Sequence, residues 1–273
     1  MASAILVLSP NLQDLGTRGR NVKGVTVGDS WRTRIKHAIP PSWLNTALLQ
    51  FPFLYSTPLL NYETNLFEGH GIEDLLGQLR TVISLNGDII ECGSSRCGAS
   101  VLMALALRNA GVSKVIWACD SFEGFDLEEL RAERESGLTD VNEHAFTSTS
   151  FKYVCQKLRA LGMDEIVKPV RGYFLDTLPS LNVSPCFALV DCDLMRSLMY
   201  CGEQIWPRLV PGGRIVFDDY TCPNFSGARH GVDEFIRCHS REIAEHGLLN
   251  RLYYVVKRQD VSDPTAAFNH VVC

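Results

Sequence analysis

The spacing of hydrophobic residues changes repeatedly after residue 70, and the two spacings predict alternating helices and strands. Between residues 72 and 85 apolar side chains recur every three or four positions, which is the period of an amphipathic helix. Shorter runs rich in Val, Ile, Leu, Phe and Cys are nearly continuous, as in strands buried on both faces. Strands are therefore predicted at residues 88–92, 114–119, 165–170, 186–190, 214–217 and 251–256.

Helical patterns separate these strands. Helices are predicted at residues 72–85, 98–110, 150–161, 194–209 and 232–245, and the acidic segment 123–147 is predicted to be a loop with at most one exposed helix. Alternation of buried strands with helices is typical of the α/β class, here a doubly wound, mostly parallel Rossmann-like sheet. In such sheets ligands bind beyond the carboxyl ends of the strands, so functional residues are expected there.

The first 70 residues lack this regularity. Gly and Pro interrupt them often, which argues against long helices, although several apolar residues near position 50 predict that part of the segment docks. We therefore predict an N-terminal arm, cap or substrate lid at residues 1–70, a main domain at residues 71–260 and a tail at residues 261–273.

Composition narrows the class of protein. The chain has 273 residues, a formal net charge of −5 and a pI near 5.8, so it offers no basic surface for binding nucleic acid through phosphates. Its apolar runs are far shorter than the ~20 residues that span a bilayer, so no membrane partner is expected. The ten cysteines include no C-x-x-C pair and no secretory signal is recognisable, so we expect free thiols and a cytoplasmic protein.

A glycine-rich turn follows the first predicted strand, in the sequence ECGSSRCGAS. A phosphate-binding P-loop is excluded because Ala99 stands where its lysine is required, and a dinucleotide turn lacks its second glycine at Ser95. Glu91 would repel a pyrophosphate and would suit a cationic ligand. The turn is therefore either a ligand-binding turn with Gly93 and Ser100 near the ligand, or a plain tight turn.

The second predicted strand ends at Asp120, which Ser121 and Phe122 follow. A carboxylate at this position binds a ribose diol in nucleoside-binding sheets of this type, and an aromatic ring beside it could cover an adenine face. The alternative is an N-cap for the next turn. A nucleoside without pyrophosphate and with cationic groups describes S-adenosylmethionine, so this cofactor is predicted.

Four carboxylates follow the fourth and fifth predicted strands. Asp191 and Asp193 lie in ALVDCDL, and Asp218 and Asp219 lie in RIVFDDY. Gathering like charge is costly unless a cation neutralises it, and carboxylate oxygens suit Mg²⁺. We therefore predict Mg²⁺ on Asp191, Asp218 and Asp219, with Asp193 as the general base that takes a proton from a metal-bound hydroxyl. The alternative is two solvated N-cap clusters.

These motifs together resemble the macrocin O-methyltransferase (TylF/MycF) family. The matching stretches are GDIIECGSSRCGAS, ACDSFEGF, VRGYFLDTLP, ALVDCDL, PGGRIVFDDYTCP and GVDEF. The resemblance implies a class I methyltransferase that moves a methyl group from S-adenosylmethionine to a sugar or phenolic hydroxyl of a natural product. It also implies the same three metal ligands and the same base. The family usually has a bulky residue at Ser95 and glycine at Cys97, so this chain departs from it at the cofactor turn.

The sequence thus predicts an Mg²⁺-dependent O-methyltransferase that acts on a glycoside or phenol, with a homodimer as a possible assembly. Two other functions are weighed against it: a degenerate methyltransferase-fold protein that only binds, and a nicotinamide-dependent oxidoreductase, which the residue at position 95 disfavours. The predicted cofactor contacts are Glu91, Gly93, Ser95, Ser100, Asp120, Ser121 and Phe122.

Overall fold

A computed structural model describes Glu63 and residues 70–259. Its centre is one seven-stranded sheet with the strand order β3-β2-β1-β4-β5-β7-β6. The strands are β1 Asp88–Cys92, β2 Ile116–Asp120, β3 Val167–Arg171, β4 Pro185–Val190, β5 Arg214–Phe217, β6 Ile243–Leu249 and β7 Leu252–Lys257. The pairs among β1 to β5 are parallel, and β7 is antiparallel to both β5 and β6. The predicted α/β class with a mostly parallel sheet is confirmed.

The helices lie between the strands in sequence. They are α1 Gly71–Val82, α2 Gly98–Asn109, α3 Leu127–Glu135, α4 Phe151–Ala160, α5 Phe174–Thr177, α6 Met195–Ile205 and α7 Ser226–His239, with short 3₁₀ turns at Leu178–Ser180 and Trp206–Arg208. None of these described helices combines the length and the apolar character needed to cross a membrane.

Two hydrophobic cores cover the two faces of the sheet. Helices α1, α2 and α4 supply one core, and α3, α6 and α7 supply most of the other. Ile89 belongs to the first core and its neighbour Ile90 to the second, and both are fully buried. Because both faces are covered, the central strands have no solvent-facing positions, which explains their continuous apolar runs.

The C-terminal end of the sheet differs from the prediction. Helix α7 begins at Ser226 and ends at His239, and the residues predicted to end that helix belong to β6, which was missed. Strand β6 is an exposed edge strand, so it carries polar residues such as Glu245 and His246 and lacks the apolar run used to find strands. Asn250, at a φ of 52°, helps to form the tight turn into β7.

The acidic segment after β2 also differs from the prediction. It does contain a helix, α3, but that helix is not simply exposed, because Glu129, Leu130 and Glu133 are buried. The predicted arm at residues 1–70 lies outside the described residues except for Glu63 and His70, and so does the predicted tail at residues 261–273. The nine described cysteines are all free thiols.

Candidate active site

The carboxyl ends of β1, β4 and β5 lie side by side at one edge of the sheet. Register pairs Cys92 with Val190, and Val190 with Phe217, so the three strands end at the same level. The ladder continues one step beyond them, because Asp191 N donates to Cys92 O at 2.8 Å and Asp218 N donates to Val190 O at 3.0 Å. The residues that follow these strands therefore converge, as the sequence predicted.

Three carboxylates gather closely at this edge. Asp191, Asp193 and Asp219 each offer an oxygen, and these oxygens lie within 4.8 Å of one another. Asp218, the residue before Asp219, is grouped with them because its negative charge acts on Asp191 and raises the pKa of that carboxyl. These four residues are called the carboxylate cluster below. Carboxylate oxygens are hard donors that suit a divalent cation such as Mg²⁺. The close spacing joins the predicted base Asp193 to Asp191 and Asp219, whereas the predicted ligand Asp218 is outside that group of three.

Two members of the cluster adopt a backbone conformation that L-residues rarely use. Asp193 has a φ of 63° and Asp219 a φ of 59°. Left-handed conformations cost energy for residues other than glycine and persist where the surrounding structure holds them, often at functional sites. Here they turn the chain sharply after β4 and β5, so that both side chains reach the cluster.

The electrostatics of the cluster follow from burial and like charge. Burial raises the pKa of Asp191 and of Asp193 well above the usual range, and the neighbouring carboxylates raise both further. Burial also raises the pKa of Asp218, with the charge of Asp219 adding to the effect and Arg251 opposing it. Burial and like charge thus disfavour the ionised form of these carboxylates, so a bound cation would stabilise it.

Arg251 contacts the cluster and was missed by the sequence reasoning. Its Nε donates to Asp218 Oδ1 and its Nη2 to Asp218 Oδ2, both at 2.7 Å, and Nη2 also donates to Asp219 Oδ1 at 2.7 Å. The side chain is only 20% exposed. Arg251 lies in the turn of the β6–β7 hairpin, and because β6 was not predicted, no turn was expected to reach the site.

The glycine-rich turn after β1 is shaped by a close approach to β4. Gly93 has a φ of +85°, and a Cβ atom there would lie 1.7 Å from the carbonyl oxygen of Asp191. Only glycine fits such a position. Further along the turn, Ser95 (φ 44°) donates its backbone N–H to Asp120 Oδ2 at 2.8 Å. The turn is thus fixed to the ends of both β2 and β4.

Glu91 lies beneath this turn, 1% exposed, and accepts a hydrogen bond from the Ser100 hydroxyl. Burial raises the pKa of Glu91 from 4.5 to about 8; the Ser100 hydrogen bond and the charge of Lys157 oppose this rise, and the charge of Asp120 adds to it. Ser100 itself is fully buried at the start of α2. Glu91 and Ser100, two of the seven residues predicted to contact the cofactor, are therefore buried under the turn.

The residues at the end of β2 take separate positions. Asp120 accepts a second backbone hydrogen bond, from Phe122 N at 2.6 Å, so both its oxygens hold main-chain amides. Ser121 closes a local turn by donating to Gly124 O at 2.7 Å. Phe122 is 3% exposed and its ring packs against Phe151 at a centroid distance of 5.4 Å. Asp120 faces the glycine-rich turn, whereas Phe122 lies in the core.

Helix α3 supplies two glutamates that hold the start of α6, directly after Asp193. Glu133 Oε1 accepts from Met195 N at 2.5 Å, and Glu129 accepts from both the backbone N and the hydroxyl of Ser197, at 2.7 and 2.6 Å. These bonds satisfy amides that a helix N-terminus leaves unpaired. The acidic segment after β2 thereby fixes the loop that carries Asp191 and Asp193. Sequence reasoning assigned these glutamates to solvent.

Comparison with known proteins decides the family. A family model described as macrocin O-methyltransferase (TylF) matches residues 72–246, which include β1 to β5 and the helices between them. The chain belongs to the macrocin O-methyltransferase family. The resemblance seen in the sequence motifs is thus confirmed. The matched region contains the whole carboxylate cluster, whereas Arg251 lies beyond its end.

Two relatives of the macrocin O-methyltransferase family illustrate the likeness. The chain is 31% identical over 150 residues to 8-demethyl-8-(2,3-dimethoxy-alpha-L-rhamnosyl)-tetracenomycin-C 4'-O-methyltransferase of Streptomyces olivaceus, covering 53% of this chain and 57% of that one. It is 30% identical over 162 residues to mycinamicin III 3''-O-methyltransferase of Micromonospora griseorubida, covering 55% and 64%. The matches thus span less than two thirds of these relatives.

A solved structure supports the fold of the family. The O-methyltransferase NovP superposes with a TM-score of 0.58 at 24% identity, covering 68% of this chain and 79% of that chain. At this identity the likeness concerns the fold, which agrees with the doubly wound sheet described above.

Proposed function

We propose that the protein is an S-adenosylmethionine-dependent O-methyltransferase that acts on a hydroxyl group of a small natural product, a glycoside or a phenol. The observation that carries this proposal is the carboxylate cluster, which lies at the carboxyl edge of the sheet beside the glycine-rich turn. Membership of the macrocin O-methyltransferase family and the acceptors named for the two relatives support it.

We further propose that Asp191, Asp218 and Asp219 hold a divalent cation, with Asp193 as the general base. When bound, Mg²⁺ would lower the pKa of an acceptor hydroxyl. The Asp193 carboxyl lies close to those of Asp191 and Asp219, so as a carboxylate it would be placed to take the proton of a hydroxyl bound at the cation. Asp193 would keep that proton while the acceptor oxygen forms its bond to the methyl carbon and the bond from carbon to sulfur breaks.

The residues around the glycine-rich turn would bind the methyl donor. Gly93 and Ser95 present backbone at the edge of the sheet, and Asp120 fixes Ser95 while keeping lone pairs for a ribose diol. Glu91 and Ser100 lie below this surface, so their role would be to hold the shape of the turn. The protein would contribute mainly positioning and electrostatics.

Two measurements test the proposal. Calorimetric titration of S-adenosylhomocysteine, with and without Mg²⁺, should give micromolar binding, and transfer of labelled methyl to a panel of glycosides and phenols should be abolished by EDTA. Asp191→Asn should lose transfer but keep S-adenosylhomocysteine binding, whereas Asp140→Asn, at an exposed position, should keep both. Absence of S-adenosylhomocysteine binding would instead favour a degenerate, non-catalytic relative.

A further inference from the structure

Arg251 forms ion pairs with two members of the carboxylate cluster, Asp218 and Asp219. Its guanidinium group takes both oxygens of Asp218 and one oxygen of Asp219, all at 2.7 Å. The two aspartates are 1% and 5% exposed at their side chains, so water screens these ion pairs little. A two-pronged guanidinium–carboxylate pair is among the strongest polar contacts in proteins.

The position of Arg251 is fixed by the hairpin that carries it. Asn250, the residue before it, donates from Nδ2 to Asp74 Oδ2 of α1 at 2.5 Å and accepts at its carbonyl from Thr221 Oγ1 at 3.5 Å. The hairpin turn is therefore attached to α1 on one side and to the loop after β5 on the other. Because the turn is already fixed, little conformational entropy is lost when the guanidinium group pairs with the carboxylates, and the ion pairs are stronger for it.

The contacts of Arg251 and the proposed metal ligands overlap. A divalent cation on Asp191, Asp218 and Asp219 would need oxygens from two carboxylates that already carry the guanidinium. The guanidinium group of Arg251 and the divalent cation are both positively charged, so they also repel each other across a few ångströms of low-dielectric interior. Binding of one is therefore expected to weaken binding of the other.

We propose that Arg251 is an internal counter-cation of the carboxylate cluster: it stabilises the metal-free site and competes with the divalent cation for Asp218 and Asp219. This rests on the metal site proposed above. The consequence is that the cluster stays ordered without metal, and that Arg251 sets the metal concentration at which the site fills. Arg251 thus acts on the reaction through the carboxylates and is a positioning residue.

The test uses the full chain and Mn²⁺ alone as the probe. Arg251→Met removes the charge, Arg251→Lys keeps the charge but loses the two-pronged contact, and Arg237→Met is the matched control, since Arg237 pairs with Glu234 on an exposed helix face. Mn²⁺ affinity is measured by electron paramagnetic resonance, and Tm is measured in EDTA and in excess Mg²⁺.

The expected results separate competition from simple structural support. Arg251→Met should bind Mn²⁺ about tenfold more tightly than the native chain, because the repelling charge has gone. Arg251→Lys should have an intermediate Mn²⁺ affinity, because it keeps the charge but not the two-pronged contact with Asp218. Its Tm in EDTA should fall by about 5 °C, and Mg²⁺ should restore most of that loss. Arg237→Met should match the native chain in both measurements.

Three outcomes would overturn the proposal. Unchanged or weaker Mn²⁺ binding in folded Arg251→Met and Arg251→Lys would mean that Arg251 supports the site without competing. An unchanged Tm of Arg251→Met in EDTA would mean that the cluster needs no counter-cation. If the native chain and both variants bind no Mn²⁺, the metal site fails as well, and S-adenosylhomocysteine binding then decides separately whether the methyltransferase function stands.

Discussion

Replacing Glu91 by Gln tests the electrostatics beneath the glycine-rich turn. Glu91 is 1% exposed and its pKa is raised from 4.5 to about 8, mainly by burial. In the unfolded chain the carboxyl ionises near 4.5, so between these two values the folded protein holds a proton that the unfolded protein has lost. Stability linked to that proton is fully present below pH 4.5 and is lost as pH rises through about 8.

The magnitude follows from the size of the rise. One pKa unit corresponds to about 1.4 kcal/mol, so ionisation of Glu91 should lower the free energy of unfolding by about 3 kcal/mol between pH 5.5 and pH 8. Gln keeps the shape and a hydrogen bond to Ser100 but does not titrate. Asp120 and Lys157, the charged groups that act on Glu91, stay in place in the variant.

Urea unfolding at half-unit pH intervals measures this difference. Other buried carboxyls also titrate, so the observable is the gap between the native and Glu91→Gln profiles, which should widen by about 3 kcal/mol from pH 5.5 to pH 8 in favour of the variant. Glu165→Gln is the control, because that side chain is 91% exposed and its profile should run parallel to the native one. Parallel native and Glu91→Gln profiles would refute the reasoning.

Three further variants probe the site and its supports. Gly93→Ala places a Cβ atom 1.7 Å from a carbonyl oxygen, so it should lower the free energy of unfolding by more than about 3 kcal/mol or prevent folding. Its control is Gly137→Ala, at a φ of +69° with open space around it, which should cost about 1 kcal/mol in urea unfolding. Asp193→Asn should raise the Tm of the metal-free protein by relieving like-charge repulsion while lowering kcat at least about 100-fold; a lowered Tm or an unchanged kcat would contradict its assignment. Lys157→Met removes the fully buried partner of Glu63 and should cost about 3 kcal/mol, a loss that the double variant with Glu63→Gln should partly recover.

The strands that carry the site were predictable because burial on both faces leaves a strong local pattern. Asp88–Cys92 and Arg214–Phe217 have the predicted bounds, and both have apolar neighbours on either side of the sheet. The residues directly after such strands must meet at the sheet edge, since parallel strands end together. That geometric rule is what predicted the meeting of Asp191 with Asp219.

The residues that complete the site were not predictable from local patterns. Arg251 pairs with Asp218, 33 positions earlier in the chain, and reaches it only because the edge strand β6 pairs with β7. Glu129 and Glu133 read as solvent-facing charges because their partners, backbone amides of α6, are more than 60 positions away. Backbone amides leave no trace in side-chain composition, so such contacts appear only in three dimensions.

The glutamates of α3 also limit how this scaffold can be re-engineered. The segment between β2 and α4 resembles a surface loop that could be exchanged for that of a relative. Yet Glu129 and Glu133 fill hydrogen-bonding positions that belong to another element, the first turn of α6. A chimera that imports this segment from a relative must therefore keep carboxylates at the positions of Glu129 and Glu133, because without them the first backbone amides of α6 lose their acceptors.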